Sequence, residues 1–232
     1  MKKLIIYFLL LTISFSYSQK KELRNANKFF TSGDYASAID LLDSSQEIFN
    51  SSDDKIRSQS MFLYGKLHTA LQDFDLAIKA FEMSRSLGIS DQLLDPEINK
   101  LENAIITSAV ADNETENFAD AAIKLKMVYN LNKDTNANYL YYAASSAVNS
   151  NNYSLALEYY EELRDIKYEG IETKFFITEV SSGNEIEINS ETEFNLLQKS
   201  KEYSDPREED TESKFPEIVK NIALIYLSLI HI

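Results

Sequence analysis

The chain of 232 residues contains no cysteine, no tryptophan, five glycines and three prolines. Without cysteine there is no disulfide framework, no thiolate nucleophile, no zinc ribbon or iron–sulfur site, and no N-terminal cysteine to carry a lipid anchor; any metal chemistry would fall to carboxylates. The scattered glycines form neither a Gly-x-Gly-x-x-Gly fingerprint nor a Walker loop, because a phosphate cradle needs clustered glycines where backbone N–H groups approach the ligand. Positive charge is also scarce: 23 Lys and Arg stand against 37 Asp and Glu, a formal charge of −14. No basic run offsets it, so nucleic acid is not expected as a partner. What remains is a globular, acidic composition with 44% hydrophobic residues.

Both ends carry information. Lys2 and Lys3, the apolar run at 4–13, and Ser16-Tyr17-Ser18 as a small-x-small cleavage site make up the three parts of a secretory signal peptide. The apolar run falls short of the roughly 20 residues that cross a bilayer. Residues 1–18 therefore read as a cleaved signal, with an uncleaved anchor as the alternative. The mature chain would begin at Gln19, periplasmic in a Gram-negative bacterium and without stable membrane insertion. At the other end a helix-like run over 218–226 breaks into Leu227-Ser228-Leu229-Ile230-His231-Ile232. CTG TCT CTT ATA CAC ATC encodes those residues and looks like the mosaic end of a transposase-based sequencing library. Residues 227–232 are thus expected to be adapter read-through, a natural C-terminus being the alternative.

Self-similarity is the strongest internal signal. The phrase aromatic-x-x-Ala-apolar-x-x-aromatic-or-Leu occurs as Tyr35/Ala38/Ile39/Leu42, Phe74/Ala77/Ile78/Phe81, Phe118/Ala121/Ala122/Leu125 and Tyr153/Ala156/Leu157/Tyr160. Twelve residues before each central alanine sits another small residue: Ala26, Gly65, Ala109 and Ala144. Paired antiparallel helices need this pattern, since only small side chains fit where two axes cross most closely. Turn residues separate the halves as Ser32-Gly33-Asp34, Gln72-Asp73 and Asn151-Asn152. The third copy is the weakest, with Asp112 at a core position and no glycine at its turn. Asp95-Pro96 reads as a cap followed by Pro at the first helical position.

These residues resemble the tetratricopeptide repeat, a helix-turn-helix unit of 34 residues. The resemblance implies an all-α helix-turn-helix solenoid, with four repeats over 19–170 and the first helix of a truncated fifth repeat over 214–226, Ala223 taking its small position. An insertion over 171–213 interrupts the array. In it, Lys174–Val180 and Glu185–Ile188 flank Ser181-Ser182-Gly183-Asn184 as a β-hairpin. Ser190-Glu191-Thr192-Glu193 then opens a short helix through about Tyr203 as a capping box, and 205–210 reads as a solvated acidic loop.

No catalytic constellation emerges, and neither a cofactor nor a metal site is expected. His68 falls on the core side of the second repeat. Ser52-Asp53-Asp54-Lys55 matches Ser-x-x-Lys without the companion motifs of the penicillin-binding enzymes, and Glu158, Glu161 and Glu162 read as a solvated stripe. No calcium loop of alternating Asp/Asn ending in Glu is present.

In the resembling family the first helix of each pair lines a concave groove. Here that implies Asn27, Phe30, Phe62, Lys66, Ile106, Asn138 and Tyr141 as protein-binding residues, with aromatics as pockets and asparagines bonding an extended backbone. Chaperone-binding members clamp a C-terminal carboxylate with lysine and asparagine; Asn27 is retained, whereas the lysine position holds Leu23. The expected function is an exported, non-enzymatic scaffold for a protein or peptide partner. Its alternative is the repeat region of an envelope sensor or enzyme whose effector domain lies downstream.

Overall fold

The structure, a computed structural model, describes residues 19–230, the side chains of the last two excepted. The expected signal segment and positions 231–232 lie outside the described residues. Two compact units divide after Ala111.

In the first unit, α1 (19–31) and α2 (Tyr35–Ser44) form one helix pair, and α4 (Asp54–Ala70) with α5 (Phe74–Ser86) forms the next. A short helix, α3 (Gln46–Asn50), joins them. Ala26, Ala38 and Leu42 pack into one core with Phe49, Ile56, Leu63 and Leu67. Gly65 and Ala77 hold the second crossing, where Phe81 lies directly against Gly65. A long helix, α6 (Asp91–Glu114), follows and crosses the unit boundary. It starts about one turn before Asp95-Pro96, so Pro96 is inside the helix rather than at its first position. The earlier start has a cause: Ser90 C=O accepts the N–H groups of Leu93 and Leu94, while Arg85 holds both Asp91 and Asp95.

The second unit carries α7 (Phe118–Leu131), α8 (Ala137–Asn149) and α9 (Tyr153–Asp165), stacked in order. Its third-copy turn proves as regular as the others. In all four copies the first helix ends in the same two backbone bonds, Asp34 N–H to Phe29 C=O, Asp73 to His68, Asn117 to Asp112 and Asn152 to Ala147, each with a shorter-span companion one residue earlier. This is the Schellman closure, and its left-handed residue is Gly33, Gln72, Glu116 or Asn151. Glycine is therefore dispensable at the turn. The constant element is the following Asp or Asn, which closes the first helix and stands at the N-cap of the second. Asp112, which weakened the third copy by its sequence, is mostly buried and paired with Lys124 of α7.

The excursion after α9 is a three-stranded antiparallel sheet in the order β2-β1-β3, made of β1 (Thr173–Glu179), β2 (Glu185–Ile188) and β3 (Tyr203–Asp210). The hairpin is as expected; the acidic loop is not a loop. Its residues 207–210 pair with β1 from Phe176↔Arg207 to Thr173↔Asp210, and after a bulge the strand continues with Thr178↔Ser204 and Glu179↔Tyr203. An edge strand needs no apolar alternation, which is why composition hid it. Arg207 secures it by lying 4.3 Å over the Phe176 ring and binding Glu185 on β2 with both ends of its guanidinium. On the opposite face Ile177, Ile188 and Phe194 form a small core under α10 (Glu191–Leu197). That helix is capped by Ser190 but ends well before Tyr203.

Bonds between Glu172 and Thr211, and from Lys214 N–H to Glu169 C=O, bring the chain back to where it left. Consequently α11 (Phe215–Ile230) packs on α9 as the first helix of a further repeat would. Ile218, Ile222 and Ile225 are buried there. The open apolar face of the helix runs through Val219, Ala223, Leu224 and Leu227, so Ala223, expected at the small position of a close crossing, is exposed. The helix also continues past Tyr226 without the expected break.

Candidate binding groove

The groove residues of α1 and α4 repeat at intervals of three and four, so Leu23, Asn27 and Phe30 share one face of α1, and Gln59, Phe62 and Lys66 one face of α4. The two faces enclose an open cavity of about 440 Å³. Leu23, Ile56 and Leu63 form its apolar floor, and Asn27 and Gln59 present amides to it. Lys66 bridges the helices, its ammonium 4.5 Å from the Phe30 ring centroid and 5.6 Å from that of Phe62. Phe62 also leans on Phe81 at 6.0 Å, so it is half-buried and not the free aromatic that its place on the groove face suggested. Asp53 lines the rim with its carboxylate turned away to accept the Ile56 N–H at 2.9 Å, the N-cap of α4.

In the second unit Asn138 and Tyr141 lie on α8, both half-buried. Tyr141 is engaged within the chain. Its hydroxyl donates to Glu217 of α11 at 3.0 Å, and Lys214 lies 5.0 Å over its ring. Burial first, then the hydrogen bond to the Glu217 carboxylate, raise the phenol above its ordinary pKa. A residue expected to await a partner thus already has one, because α11 takes the place beside α8 and α9. A second cleft of about 310 Å³ opens next to it, lined by Ser145, Val148, Tyr160, Asn221 and Leu224 among others. Ile106 is half-buried on α6, in the first unit. Of the seven expected residues, Asn27, Phe62 and Lys66 therefore line one cavity, and Phe30 adjoins it under the Lys66 ammonium.

The residues weighed for chemistry divide differently. His68 stacks on Tyr64 at 6.0 Å, and its Nδ1 is 3.4 Å from Asp73, a partnered and mostly buried position. Glu162 departs from the expected solvated stripe: its side chain is only 28% exposed and binds both Lys126 and Lys133. Burial alone would raise its pKa, but the hydrogen bonds from Lys126, Tyr129 and Lys133 outweigh burial and lower it. The Tyr129 phenol is pushed up to about 12 by burial and then by Glu162. Lys126 lies 4.8 Å from the Tyr129 ring and 4.9 Å from that of Tyr159, so the cluster ties α7 to α9. Sequence reasoning missed it because a lysine and a glutamate on different helices show no spacing rule.

No protein-family model and no curated protein sequence matches the chain. A solved structure described as "Functional Characterization of Pseudomonas Aeruginosa pilF" is similar over 64% of this chain and 76% of its own, at 10% identity and a TM-score of 0.31. A likeness of that size supports no inference about function, and the helix pairs described above rest on this chain's own geometry. Among the described residues no helix is long and apolar enough to cross a membrane.

Proposed function

We propose that the chain is an exported, non-enzymatic repeat scaffold of the cell envelope that holds a protein or peptide segment against the groove faces of its helix pairs. The observation that carries the reading is the cavity between α1 and α4. Its volume suits a few side chains, its floor is apolar, and the Asn27 and Gln59 amides can pair with both N–H and C=O of an extended backbone. Export draws on Lys2, Lys3, the apolar run at 4–13 and the Ser16-Tyr17-Ser18 site. Periplasmic material should begin at Gln19 on N-terminal sequencing.

Panning a random peptide library against the immobilised protein tests binding. Enriched peptides should lose most of their affinity for Phe62→Ala while far-UV circular dichroism is unchanged. A library that yields no enrichment, or peptides that bind Phe62→Ala equally well, would remove the reading. The alternative, a repeat region serving a downstream effector domain, draws on the open apolar face of α11 at Val219, Ala223 and Leu227. Genomic sequence beyond codon 226 encoding a catalytic or membrane-spanning domain would favour it.

A further inference from the structure

The first cavity has a charge that the rest of the chain does not. Four of its lining residues are basic, Lys20, Arg24, Lys55 and Lys66, against one acid, Asp53. The protein as a whole carries 37 acids to 23 bases; elsewhere some basic residues, such as Arg57, Arg85, Lys126, Arg164 and Arg207, are bound to nearby carboxylates, and the cavity is set apart by gathering four bases around one acid. None of the four cavity cations has an ion-pair partner among the described residues; Lys66 instead rests its stem and charge between Phe30 and Phe62. The one acid is committed to the α4 N-cap. Keeping four like charges together around a single carboxylate costs free energy that a chain rich in carboxylates could relieve with further Asp or Glu at the rim.

We propose that this cavity recognises an internal acidic segment of a partner polypeptide, one apolar side chain seated on Leu23, Ile56 and Leu63 and flanking Asp or Glu side chains meeting Lys20, Arg24, Lys55 and Lys66. The inference deepens the proposed function and rests on it. Peptide is favoured over nucleic acid because the floor is apolar and a long phosphate backbone would meet the negative surface beyond the cavity. A terminal carboxylate is not needed: the cations are spread around the rim, and Leu23 occupies the place from which a terminal-carboxylate clamp would work.

The test uses fluorescence anisotropy with the mature full chain and four labelled probes. They are a C-terminally amidated hexapeptide of five glutamates around a central leucine, the same peptide with glutamines for glutamates, the glutamine peptide with a free C-terminal acid, and a decamer of thymidylate. The glutamate peptide should bind at least about tenfold more tightly than its glutamine counterpart at low salt, and the preference should shrink as ionic strength rises. The double variant Lys20→Glu/Lys55→Glu, with two exposed, unpaired positions changed, should lose the preference while keeping its circular dichroism and the weaker glutamine-peptide binding.

Equal binding of the glutamate and glutamine peptides, both lost in Phe62→Ala, would overturn the charge inference and leave the peptide groove standing. Binding by none of the peptides would overturn both. Preference for the free-acid glutamine peptide would mean recognition of a chain end, and preference for thymidylate would mean a nucleic-acid site; either refutes the proposal. A glutamate preference unchanged in the double variant would move the site away from this cavity.

Discussion

Gly65→Ala gives the sharpest test of the helix-crossing argument, because two known effects oppose each other there. In an exposed helix the change would stabilise by about 1 kcal/mol, since alanine is the better helix former. At position 65 the added Cβ would stand 2.4 Å from two carbons of the Phe81 ring and 2.8 Å from a third. Ordinary carbon contacts lie at about 3.5–4.0 Å, so the ring would have to retreat by roughly 1 Å. Phe81 is 1% exposed and packs against Phe62 as well, so its ring cannot retreat without displacing a neighbour. Overpacking of this kind costs about 1–3 kcal/mol, and contact at three rigid ring atoms favours the upper part of that range. The expected net loss is about 1–2 kcal/mol, or a melting temperature lower by roughly 2–8 °C. Urea unfolding followed by circular dichroism measures it. Repeating the substitution in a Phe81→Leu background should abolish the penalty, a coupling of at least about 1 kcal/mol. Gly33→Ala serves as the contrast: nothing lies within 4 Å of its added Cβ but its φ is +81°, so its cost is conformational and Phe81→Leu should leave it unchanged. A Gly65→Ala protein as stable as the parent or more so would refute the close-crossing account.

Three further predictions follow from other parts of the molecule. Glu116→Gly should stabilise by about 0.5–1 kcal/mol in urea unfolding, since Glu116 holds a left-handed φ of 63° that glycine adopts freely; a loss of stability would show that its side chain matters more than its backbone. Glu162→Gln should cost about 1–2 kcal/mol at pH 7 by weakening the bonds to Lys126 and Lys133. Because the folded carboxyl titrates below its unfolded value, that contribution is complete above about pH 4.3 and fades as the pH falls through the lower folded value. The gap between parent and variant should therefore narrow as the pH falls below the ordinary carboxylate range, and a constant gap would contradict the assigned charge state. Phe194→Ala removes the centre of the small sheet core, whose ring lies 4.9 Å from Phe175. It should cost about 3–5 kcal/mol locally, read as faster hydrogen exchange at β1 amides, with unchanged exchange there refuting the role given to α10.

The repeating pairs were legible in the residues because their physics is local and steric. Ala26 and Ala38, or Ala144 and Ala156, announce a close crossing, and Tyr35, Phe74, Phe118 and Tyr153 each begin the second helix of a pair. The hairpin was legible for a similar reason, since β-branched and aromatic runs flank a turn cluster. So were the faces that enclose the first cavity, because residues three and four apart on a helix must share a side.

What the tertiary structure alone decided depends on partners distant in sequence. Glu116 reads as a poor turn residue, yet it closes a helix once Asn117 reaches back to Asp112. The acidic stretch 205–210 has no strand signature and becomes β3 because β1 offers an unpaired edge and Arg207 can span Phe176 to Glu185. Tyr141 lies on the helix face its spacing implies, but whether that face is open was settled by α11 and the residue before it, since Glu217 and Lys214 arrive from beyond the whole inserted sheet. Periodicity assigns a side chain to a face; occupancy of that face depends on where the rest of the chain returns, and no local pattern encodes that return.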